Sequence, residues 1–264
     1  MTGRPFLSRQ EHFPLVGSTN DVVRGWLADG TPEVCLAVAD EQSAGRGREG
    51  RSWQAPSGAA LLASLGFRPT WLPAERAWRL AAITSLAMAE AAEDVAGLKA
   101  GTIRLKWPND LVVEADSGWP KLAGVLGESD GLGTADPRVV VGIGLNAGWR
   151  GVDFPPSLAA GMTSLYEASR GIPIDRQALL EAFLSNVEAR VERLREGEFD
   201  VVGWQARQAT TGRLVGLEFP DGTSEFVRAV EVEAASGALV VEGGSSSRRR
   251  VHVGEIRHVR AARV

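Results

Sequence analysis

Gln42-Ser43-Ala44-Gly45-Arg46-Gly47-Arg48-Glu49-Gly50-Arg51-Ser52-Trp53 is the stretch of the 264-residue chain that discriminates best between fold classes. Its glycines match G-x-G-x-x-G, a motif of dinucleotide-binding folds that requires a helix directly after it. Pro56 and Gly58 follow instead and prevent a normal helix at that point. The match is therefore accidental. Because the chain has no G-x-x-x-x-G-K-[ST] motif, a P-loop fold is excluded as well.

The same stretch concentrates positive charge, since Arg46, Arg48 and Arg51 fall within six positions. The whole chain is acidic, with 29 Lys and Arg against 33 Asp and Glu and a net charge of −4. Guanidinium groups bind carboxylates and phosphates in a bidentate manner, so the loop suits an anionic ligand. The alternative is a solvated basic surface loop. The negative net charge argues against a general nucleic-acid-binding protein.

Hydrophobic periodicity on both sides of the loop indicates a mixed fold. Helices are predicted at 19–30, 75–95 and 175–195, and strands at 34–39, 59–67, 103–106, 111–113, 122–126 and 139–143. On the third helix, Phe183, Val187, Val191 and Leu194 share one face, which we expect to pack on the sheet.

The character of the chain changes after about residue 205. Short strands are predicted at 213–219, 224–233, 238–242 and 251–259, separated by turn-forming residues. The sequence therefore predicts an α+β fold, with a mixed sheet flanked by helices in residues 1–205 and a small β-barrel domain in residues 206–264.

Cysteine usage and hydropathy indicate the compartment. The single cysteine, Cys35, cannot form an intrachain disulfide, which fits a reducing cytoplasm. The chain has no apolar run long enough to span a bilayer, and residues 1–13 contain no apolar signal core. We therefore expect a cytoplasmic protein without membrane contact, with Cys35 as a core residue rather than a nucleophile.

Three further segments place functional groups on or beside strands. Lys106-Trp107-Pro108-Asn109-Asp110 predicts a tight turn that presents a cation, an amide and a carboxylate. Lys121-Leu122-Ala123-Gly124 and Gly142-Ile143-Gly144-Leu145-Asn146 contain glycines that would let a ligand approach the strand backbone. For residues 106–110 the alternative is a hairpin with Trp107 in the core. For Lys121 it is a solvated lysine, and for residues 142–146 it is a core strand beside another backbone.

In this order the segments resemble those of biotin protein ligases. The pieces that carry the resemblance are Gly17-Ser18-Thr19-Asn20, residues 45–51, residues 106–111, residues 121–124 and residues 142–146. It is strong over roughly residues 13–167 and extends to the rest only in layout. It implies a catalytic domain like those of class II aminoacyl-tRNA synthetases and biotin synthetases, with a mixed sheet flanked by helices, followed by an SH3-like β-barrel.

The resemblance implies a biotin site. Its residues would be Ser18, Thr19, Asn20, Gln42, Arg46, Gly47, Arg48, Trp53, Lys121 and Gly124. Ser18, Thr19 and Gln42 would hydrogen-bond the ureido ring. The backbone at 46–48 would line the rest of the site, and Trp53 would pack over the ligand.

An ATP site beside it is implied in the same way. Its residues would be Arg48, Arg51, Trp53, Lys106, Asn109, Asp110, Lys121 and Asn146. Three of them are the implied catalytic residues. Arg48 would hold the adenylate, Lys121 would contact the biotin carboxylate and the α-phosphate, and Asp110 would act through Mg²⁺.

The implied activity joins biotin to ATP as biotinyl-5'-AMP and transfers it to a lysine of a biotin carboxyl carrier protein domain of an acyl-CoA or pyruvate carboxylase. A lipoate ligase or acyltransferase of the same superfamily is the first alternative. The second is a nucleic-acid-binding protein that uses Arg248-Arg249-Arg250. We expect those arginines in a flexible hairpin loop, where a contact with the carrier is another option.

The sequence departs from the family pattern in two places. Only 16 residues precede Gly17, so we expect no helix-turn-helix domain and no DNA-binding repressor role. Glu49 stands in the loop where many relatives have a basic residue. The resemblance leaves the oligomeric state open between a monomer and a homodimer formed through the central sheet.

Overall fold

The structure, a computed structural model, describes residues 4–115, 118–243, 247–252 and 255–258. Its strands are β1 (Arg9–Phe13), β2 (Cys35–Ala39), β3 (Ala60–Phe67), β4 (Ile103–Lys106), β5 (Asp110–Val113), β6 (Lys121–Asp130), β7 (Arg138–Asn146), β8 (Leu214–Glu218), β9 (Ser224–Val232), β10 (Leu239–Glu242), β11 (Arg248–Val251) and β12 (Glu255–His258). Its α-helices are α1 (Thr19–Ala28), α2 (Trp78–Val95), α3 (Pro156–Ala159), α4 (Leu165–Ala168), α5 (Arg176–Arg195) and α6 (Val201–Ala206).

Seven strands form one mixed sheet in the order β1-β2-β3-β7-β6-β5-β4. β1 runs parallel to β2, and the other neighbouring pairs are antiparallel. The register places Gly142 between Ser64 of β3 and Leu126 of β6, and it places Gly144 beside Gly124. The predicted mixed sheet is confirmed, although β1 lies in a segment that was too polar to be predicted as a strand.

The main hydrophobic core lies between the sheet and α2. Alternate residues of β3 and β7, including Phe67 and Ile143, pack there with Leu86 of α2. Helix α5 buries its predicted apolar face, but it packs chiefly against α2 and less extensively against β3. The expectation that α5 packs on the sheet is confirmed for β3, and α5 also covers one side of α2, which is apolar nearly all round.

The opposite face of the sheet carries α1, which packs on β2, β3 and β7. Its core is small and contains Val23 and Leu27 of α1 with Cys35 and Ala37 of β2. Next to the first turn of α1, Trp53 of the glycine-rich loop lies over Gly144 and Gly124 of the strands. The α1 face therefore has room for a ligand beside these strands.

A second, antiparallel sheet has the order β11-β10-β9-β8-β12 and contains the C-terminal strands. The strand predicted at 251–259 corresponds to β12, and β11 ends where that range begins, at Val251. Arg248, Arg249 and Arg250 belong to β11 and pair with β10, so their assignment to a flexible loop is wrong. Alternation predicts a strand poorly where three consecutive residues are all charged.

The two sheets are linked by backbone hydrogen bonds and by shared core. Leu105 N donates to Arg207 O at 2.8 Å, and Ala209 N donates to Leu105 O at 2.7 Å, so residues 207–209 cover the edge of β4. Val215 and Leu217 of β8 belong to the same buried cluster as α2. Helix α6 crosses the boundary placed at residue 205, and that boundary stays a prediction. None of the helices in the described part of the chain could span a lipid bilayer.

Candidate active site

A cavity of about 360 Å³ opens on the α1 face of the seven-stranded sheet. Its lining includes every predicted site residue except Asn146, namely Ser18, Thr19, Asn20, Gln42, Arg46, Gly47, Arg48, Arg51, Trp53, Lys106, Asn109, Asp110, Lys121 and Gly124. The separate sequence segments therefore meet at one place. Each lies at the end of a strand or helix, or in the glycine-rich loop.

The floor of the cavity is a buried network of polar side chains. The backbone N and Oγ1 of Thr19 donate to Gln42 Oε1 at 2.8 and 3.0 Å. Ser64 Oγ lies 2.7 Å from Thr19 Oγ1 and 2.6 Å from Asn20 Oδ1. Ser18 lines the floor beside them and is buried. Fully satisfied networks of this kind are rigid, so the floor presents its polar groups in fixed positions.

Ser64 was missed by the sequence analysis, although a signal for it exists. It is completely buried in β3, between apolar neighbours on both sides along the strand. A single hydroxyl in an apolar strand needs a hydrogen-bonding partner, and that requirement would have indicated the α1 face.

The strand glycines make room for side chains of the protein itself. A Cβ at position 144 would lie 2.5 Å from Cε2 of Trp53, and one at position 142 would collide with Oδ1 of Asn20. At position 124 the nearest atoms would be Cε and Nζ of Lys121, at 3.2 Å. The glycines were predicted to let a ligand approach the backbone. In the structure the Trp53 indole and the Asn20 amide take that space.

The charged end of the cavity is an ion pair between neighbouring strands. Lys121 Nζ lies 2.6 Å from Asp110 Oδ1, and the Asp110 side chain is only 13% exposed. Lys121 Nζ also lies 5.4 Å from the centre of the Trp53 ring, within the range of a cation–π contact. Asn109 donates through Nδ2 to Val125 O at 2.8 Å, which fixes the turn after Pro108. The predicted turn at 106–110 is confirmed, and Trp107 is buried at its centre.

The glycine-rich loop is folded over the cavity by its own backbone. Gly47 N donates to Arg51 O at 2.6 Å, and Trp53 N donates to Gly45 O at 2.9 Å. Glu49 adopts a positive φ of 56° within a short 3-10 turn, and its carboxylate lies 3.9 Å from Arg51. Glu49, the departure from the family pattern, is therefore accommodated by pairing inside the loop.

The loop arginines differ in their surroundings. Arg46 forms a bidentate ion pair with Asp21 and a second pair with Glu128. Hydrogen bonding from Arg46 lowers the pKa of the Asp21 carboxyl. In the described part of the chain the Arg48 guanidinium has no ion-pair or hydrogen-bond partner. Arg48 is thus the arginine whose charge is available to a bound anion.

Asn146 is the one predicted residue that lies outside the cavity. It is fully buried, its Nδ2 donates to Thr163 O at 2.9 Å, and its Oδ1 has no hydrogen-bond partner. The segment that it contacts supplies part of the cavity wall that was not predicted, including Leu158 and Met162. This segment is attached at Lys121, whose N donates to Gly161 O at 2.8 Å. Pairing between distant segments gives no local pattern, so the sequence did not reveal it.

A second cavity, of about 480 Å³, adjoins the first on the α2 side. The two cavities share Arg48, residues 106–110, Val125 and Leu126. The second one extends between Trp78 of α2 and the β9–β10 turn, where Trp107 Nε1 donates to Gly237 O at 3.1 Å. Arg48 and the hairpin of residues 106–110 therefore stand at the junction of two connected spaces.

The residues at the site do not fit a Mg²⁺ ion held by the protein alone. Asp110 is the carboxylate that was predicted to act through the metal, and it is paired with Lys121. Within residues 4–115, 118–243 and 247–252, no three His, Cys, Asp or Glu side chains are grouped so that they could hold a metal. Mg²⁺ that accompanies nucleotide phosphates is a part of the substrate and needs only one or two protein ligands.

Cys35 is fully buried in β2, as predicted for a core residue. Burial raises the pKa of its thiol to about 11. A thiol of that kind is protonated at neutral pH and is a poor nucleophile. The chemistry of the site therefore belongs to the cavity on the α1 face.

Comparison with known proteins gives a consistent family. The sequence pattern of the biotin/lipoate A/B protein ligase family matches residues 12–146. The chain is 31% identical to a biotin–[acetyl-CoA-carboxylase] ligase of Paracoccus denitrificans over 226 residues, which cover 82% of this chain and 88% of that protein. It is 29% identical to a protein of the same name from Mycobacterium tuberculosis, over 92% of this chain and 86% of that protein.

A solved structure supports the fold. The biotin protein ligase of Aquifex aeolicus, in complex with biotin and ATP, superposes with a TM-score of 0.77 and 24% identity, over 95% of this chain and 99% of that chain. That likeness covers both the seven-stranded sheet and the C-terminal sheet. Together with the match over residues 12–146 and the relative from Paracoccus denitrificans, it agrees with the order of the sequence motifs. The chain belongs to the biotin/lipoate A/B protein ligase family.

Proposed function

We propose that the chain is a biotin protein ligase, which joins biotin to ATP as biotinyl-5'-AMP and transfers the biotinyl group to a lysine of a carrier protein. The observation that carries the proposal is the meeting of three kinds of group in one cavity. The polar floor, the Lys121–Asp110 pair and Arg48, which has no ion-pair partner among the described residues, line it together with the strand glycines. The names of the relatives favour biotin over lipoate as the acid.

The buried floor suits the uncharged polar head of biotin. Ser18, Thr19 and Gln42 would hydrogen-bond the ureido group, and Thr19 and Gln42 would give up part of their mutual hydrogen bonding for it. Asn20 and Gly124 would border the ring system, and the rest of this wall would be the backbone at residues 46–48. A site that satisfies the polar groups of its ligand rejects a ligand that lacks them, because buried groups would then be left unpaired. The dithiolane ring of lipoate offers no such groups.

The first chemical step places two negatively charged substrates side by side. A carboxylate oxygen of biotin attacks the α-phosphorus of ATP, the bond to the β-phosphate oxygen breaks, and pyrophosphate leaves. Lys121 and Arg48 would offset the repulsion between the anions and stabilise charge that develops at the α-phosphorus. Asp110 holds the Lys121 ammonium in place, and the cation–π contact with Trp53 supports the same position.

The nucleotide would lie toward the hairpin of residues 106–110 and the second cavity. Lys106 and Arg51 would attract the phosphates by their positive charge. Asn109 would hold the turn of residues 106–110 in position through its bond to Val125 O. Mg²⁺ would enter as part of the substrate MgATP, and Asp110 would offer it the carboxylate oxygen that is not paired with Lys121. Asn146 would act from behind the cavity, where its unpartnered Oδ1 offers an acceptor.

In the second step the amine of a carrier lysine attacks the acyl carbonyl of the adenylate. An amide bond forms, AMP leaves, and the amine loses a proton. The proposed carrier is a biotin carboxyl carrier domain of an acyl-CoA or pyruvate carboxylase. The names of two relatives specify acetyl-CoA carboxylase. A cytoplasmic location and a homodimer stay predictions. A repressor role and nucleic-acid binding through Arg248–Arg250 are not part of the proposal.

Calorimetric titration tests the proposal at the level of substrate choice. The purified chain is titrated with biotin, with and without MgATP, and lipoate serves as the control ligand. We expect biotin to bind and lipoate not to bind. A carrier domain and its Lys→Arg variant are then incubated with the chain, biotin and MgATP, and only the domain with its lysine should react with streptavidin on a blot. Binding of lipoate alone would move the chain to the lipoate branch of the family.

A further inference from the structure

Four charged side chains connect the glycine-rich loop to the scaffold below it. They are Asp21 and Arg24 of α1, Arg46 of the loop and Glu128 of β6, and we call them the loop clasp. Arg46 is the only one of the four that belongs to the loop. Its guanidinium donates to Asp21 at 2.6 and 2.9 Å and lies 3.3 Å from Glu128.

Glu128 also reaches into the floor of the cavity. Its Oε2 accepts a hydrogen bond from Asn20 Nδ2 at 2.7 Å. Asn20 Oδ1 is in turn bonded to the buried Ser64. One carboxylate therefore touches both the loop above the cavity and the polar network below it, so a change in the position of the loop is felt by the floor.

Arg24 contacts the same two carboxylates from the solvent side. It lies 3.1 Å from Asp21 and 3.0 Å from Glu128, and its side chain is half exposed. Within the described residues its side chain forms no ion pair or hydrogen bond with the loop. Arg24 and Arg46 thus form a matched pair of arginines on the same anions, and only one of them bears on the loop.

An isolated exposed ion pair contributes little, but a network around a bidentate pair is a stronger case. The hydrogen bond from Arg46 lowers the pKa of Asp21, so the Asp21 carboxyl stays ionised to more acidic pH than an ordinary aspartic acid. The clasp is therefore complete at neutral pH. The contribution of the Asp21 pair is fully present above the ordinary pKa of an aspartic acid and is lost as the pH falls through the lowered one.

We infer that Glu128 is a positioning residue: through Arg46 it holds the glycine-rich loop closed over the cavity, and through Asn20 it ties that closure to the polar floor. The inference rests on the proposed function insofar as the closed loop retains the acyl-adenylate. Glu128 borders the second cavity, but its carboxylate is held by Asn20, Arg24 and Arg46, and its proposed role is to position the loop. It acts on the position of Arg46, and with it on the neighbouring Arg48.

The variant Glu128→Gln keeps the size of the side chain and its ability to accept from Asn20 while removing the charge that attracts Arg46. We expect the release of biotinyl-5'-AMP into solution to rise about tenfold, and the single-turnover rate of adenylate formation to change by less than about threefold. A high salt concentration should speed release from the wild type by a larger factor than from the variant, since salt screens half-exposed pairs and the variant retains only the Arg46–Asp21 pair.

Arg24→Gln is the matched control. It removes an arginine from the same two carboxylates without touching the loop, so adenylate release should stay within about twofold of the wild type. The double variant Glu128→Gln/Arg46→Gln should release the adenylate no faster than Arg46→Gln alone, because Arg46→Gln already removes the pair with Glu128 together with the pair with Asp21. Equal release in wild type and Glu128→Gln, or equal increases in Glu128→Gln and Arg24→Gln, would overturn the inference.

A ligand-free measurement separates this inference from the proposed function. Trypsin cleaves after arginine, and Arg48 and Arg51 lie in the loop. Cleavage there should be faster in Glu128→Gln than in the wild type and in Arg24→Gln, while thermal unfolding of the three proteins agrees. If the wild type forms no adenylate but this difference is found, the proposed function fails and the clasp stands. If cleavage is equal in all three, the clasp fails whatever the activity.

Discussion

The two faces of the seven-stranded sheet are made from the same strands, yet they are built on opposite principles. The β7 side chains that face α2 are Val139, Val141, Ile143 and Leu145. The positions between them on the α1 face include Gly142 and Gly144. Along β7 the α2 face carries these apolar side chains, and the second cavity opens beside them. On the α1 face the strands carry none at these points, and the space belongs to Asn20 and Trp53, which come from other segments.

The difference shows what a site requires of a sheet. A core face gains stability from every methyl group that it buries, so it uses large apolar residues. A site face must place polar groups and leave a cavity beside them. It is therefore sensitive to shape and charge rather than to volume. The following experiments break one face at a time, from the largest expected effect to the smallest.

The variant Phe183→Ala breaks the core side. Phe183 of α5 is fully buried in the core that α2 and α5 form with the sheet. We expect the free energy of unfolding in denaturant to fall by about 3–5 kcal/mol, because the change removes apolar contacts and leaves a cavity. The folded fraction should bind biotin as the wild type does.

Phe226→Ala is the control for that experiment, since Phe226 is 72% exposed on the second sheet. The same substitution there should change the free energy of unfolding by less than about 0.5 kcal/mol. A similar loss in both variants would mean that the α2 layer is not the main source of stability.

The variant Gly144→Ala breaks the site side by volume. The added Cβ would lie 2.5 Å from the Trp53 ring, so the indole has to move. We expect a cost of about 1–3 kcal/mol from overpacking and weaker biotin binding in a calorimetric titration. Gly148→Ala is the control, because a Cβ at 148 meets no atom within 4 Å. Unchanged binding in Gly144→Ala would show that the position of Trp53 is irrelevant to the ligand.

The variant Lys121→Ala breaks the site side by charge. Lys121 is the cation paired with the largely buried Asp110. We expect the rate of adenylate formation to fall by more than about tenfold, or about 1.4 kcal/mol or more of transition-state stabilisation. Lys99→Ala, at an exposed lysine before β4, should have the wild-type rate. An unchanged rate in Lys121→Ala would remove Lys121 from the mechanism.

The variant Gly25→Ala sharpens the limit of the site face. Gly25 lies on the exposed side of α1, where a Cβ meets no atom within 4 Å. Alanine there should raise the free energy of unfolding by about 0.5–1 kcal/mol, through helix propensity alone, and leave activity unchanged. Gly30→Ala should have the opposite sign, because Gly30 has a φ of +89°. A loss of activity in Gly25→Ala would extend the site to the outer side of α1.

Much of this arrangement could be predicted from the sequence, for local reasons. Strand alternation and helix periodicity are read over a few neighbouring residues, and they located most of the sheet. The ordered motifs of the family resemblance named site residues that, except for Asn146, line one cavity. What was missed depends on contacts between distant segments. Examples are the packing of α5 against α2, the wall around Met162, and the place of Asn146 behind the cavity. The pairing of Arg46 with Asp21 and Glu128 belongs to the same class, because no sequence spacing announces it.

The most direct test of the central claim is the exchange of labelled pyrophosphate into ATP, catalysed by the purified chain with MgATP. This exchange reports reversible formation of an acyl-adenylate and needs no carrier protein. If the α1 face is a site for biotin activation, exchange will require biotin, will be absent with lipoate and will be lost in Lys121→Ala. Exchange that depends on lipoate alone, or no exchange with either acid, would contradict it.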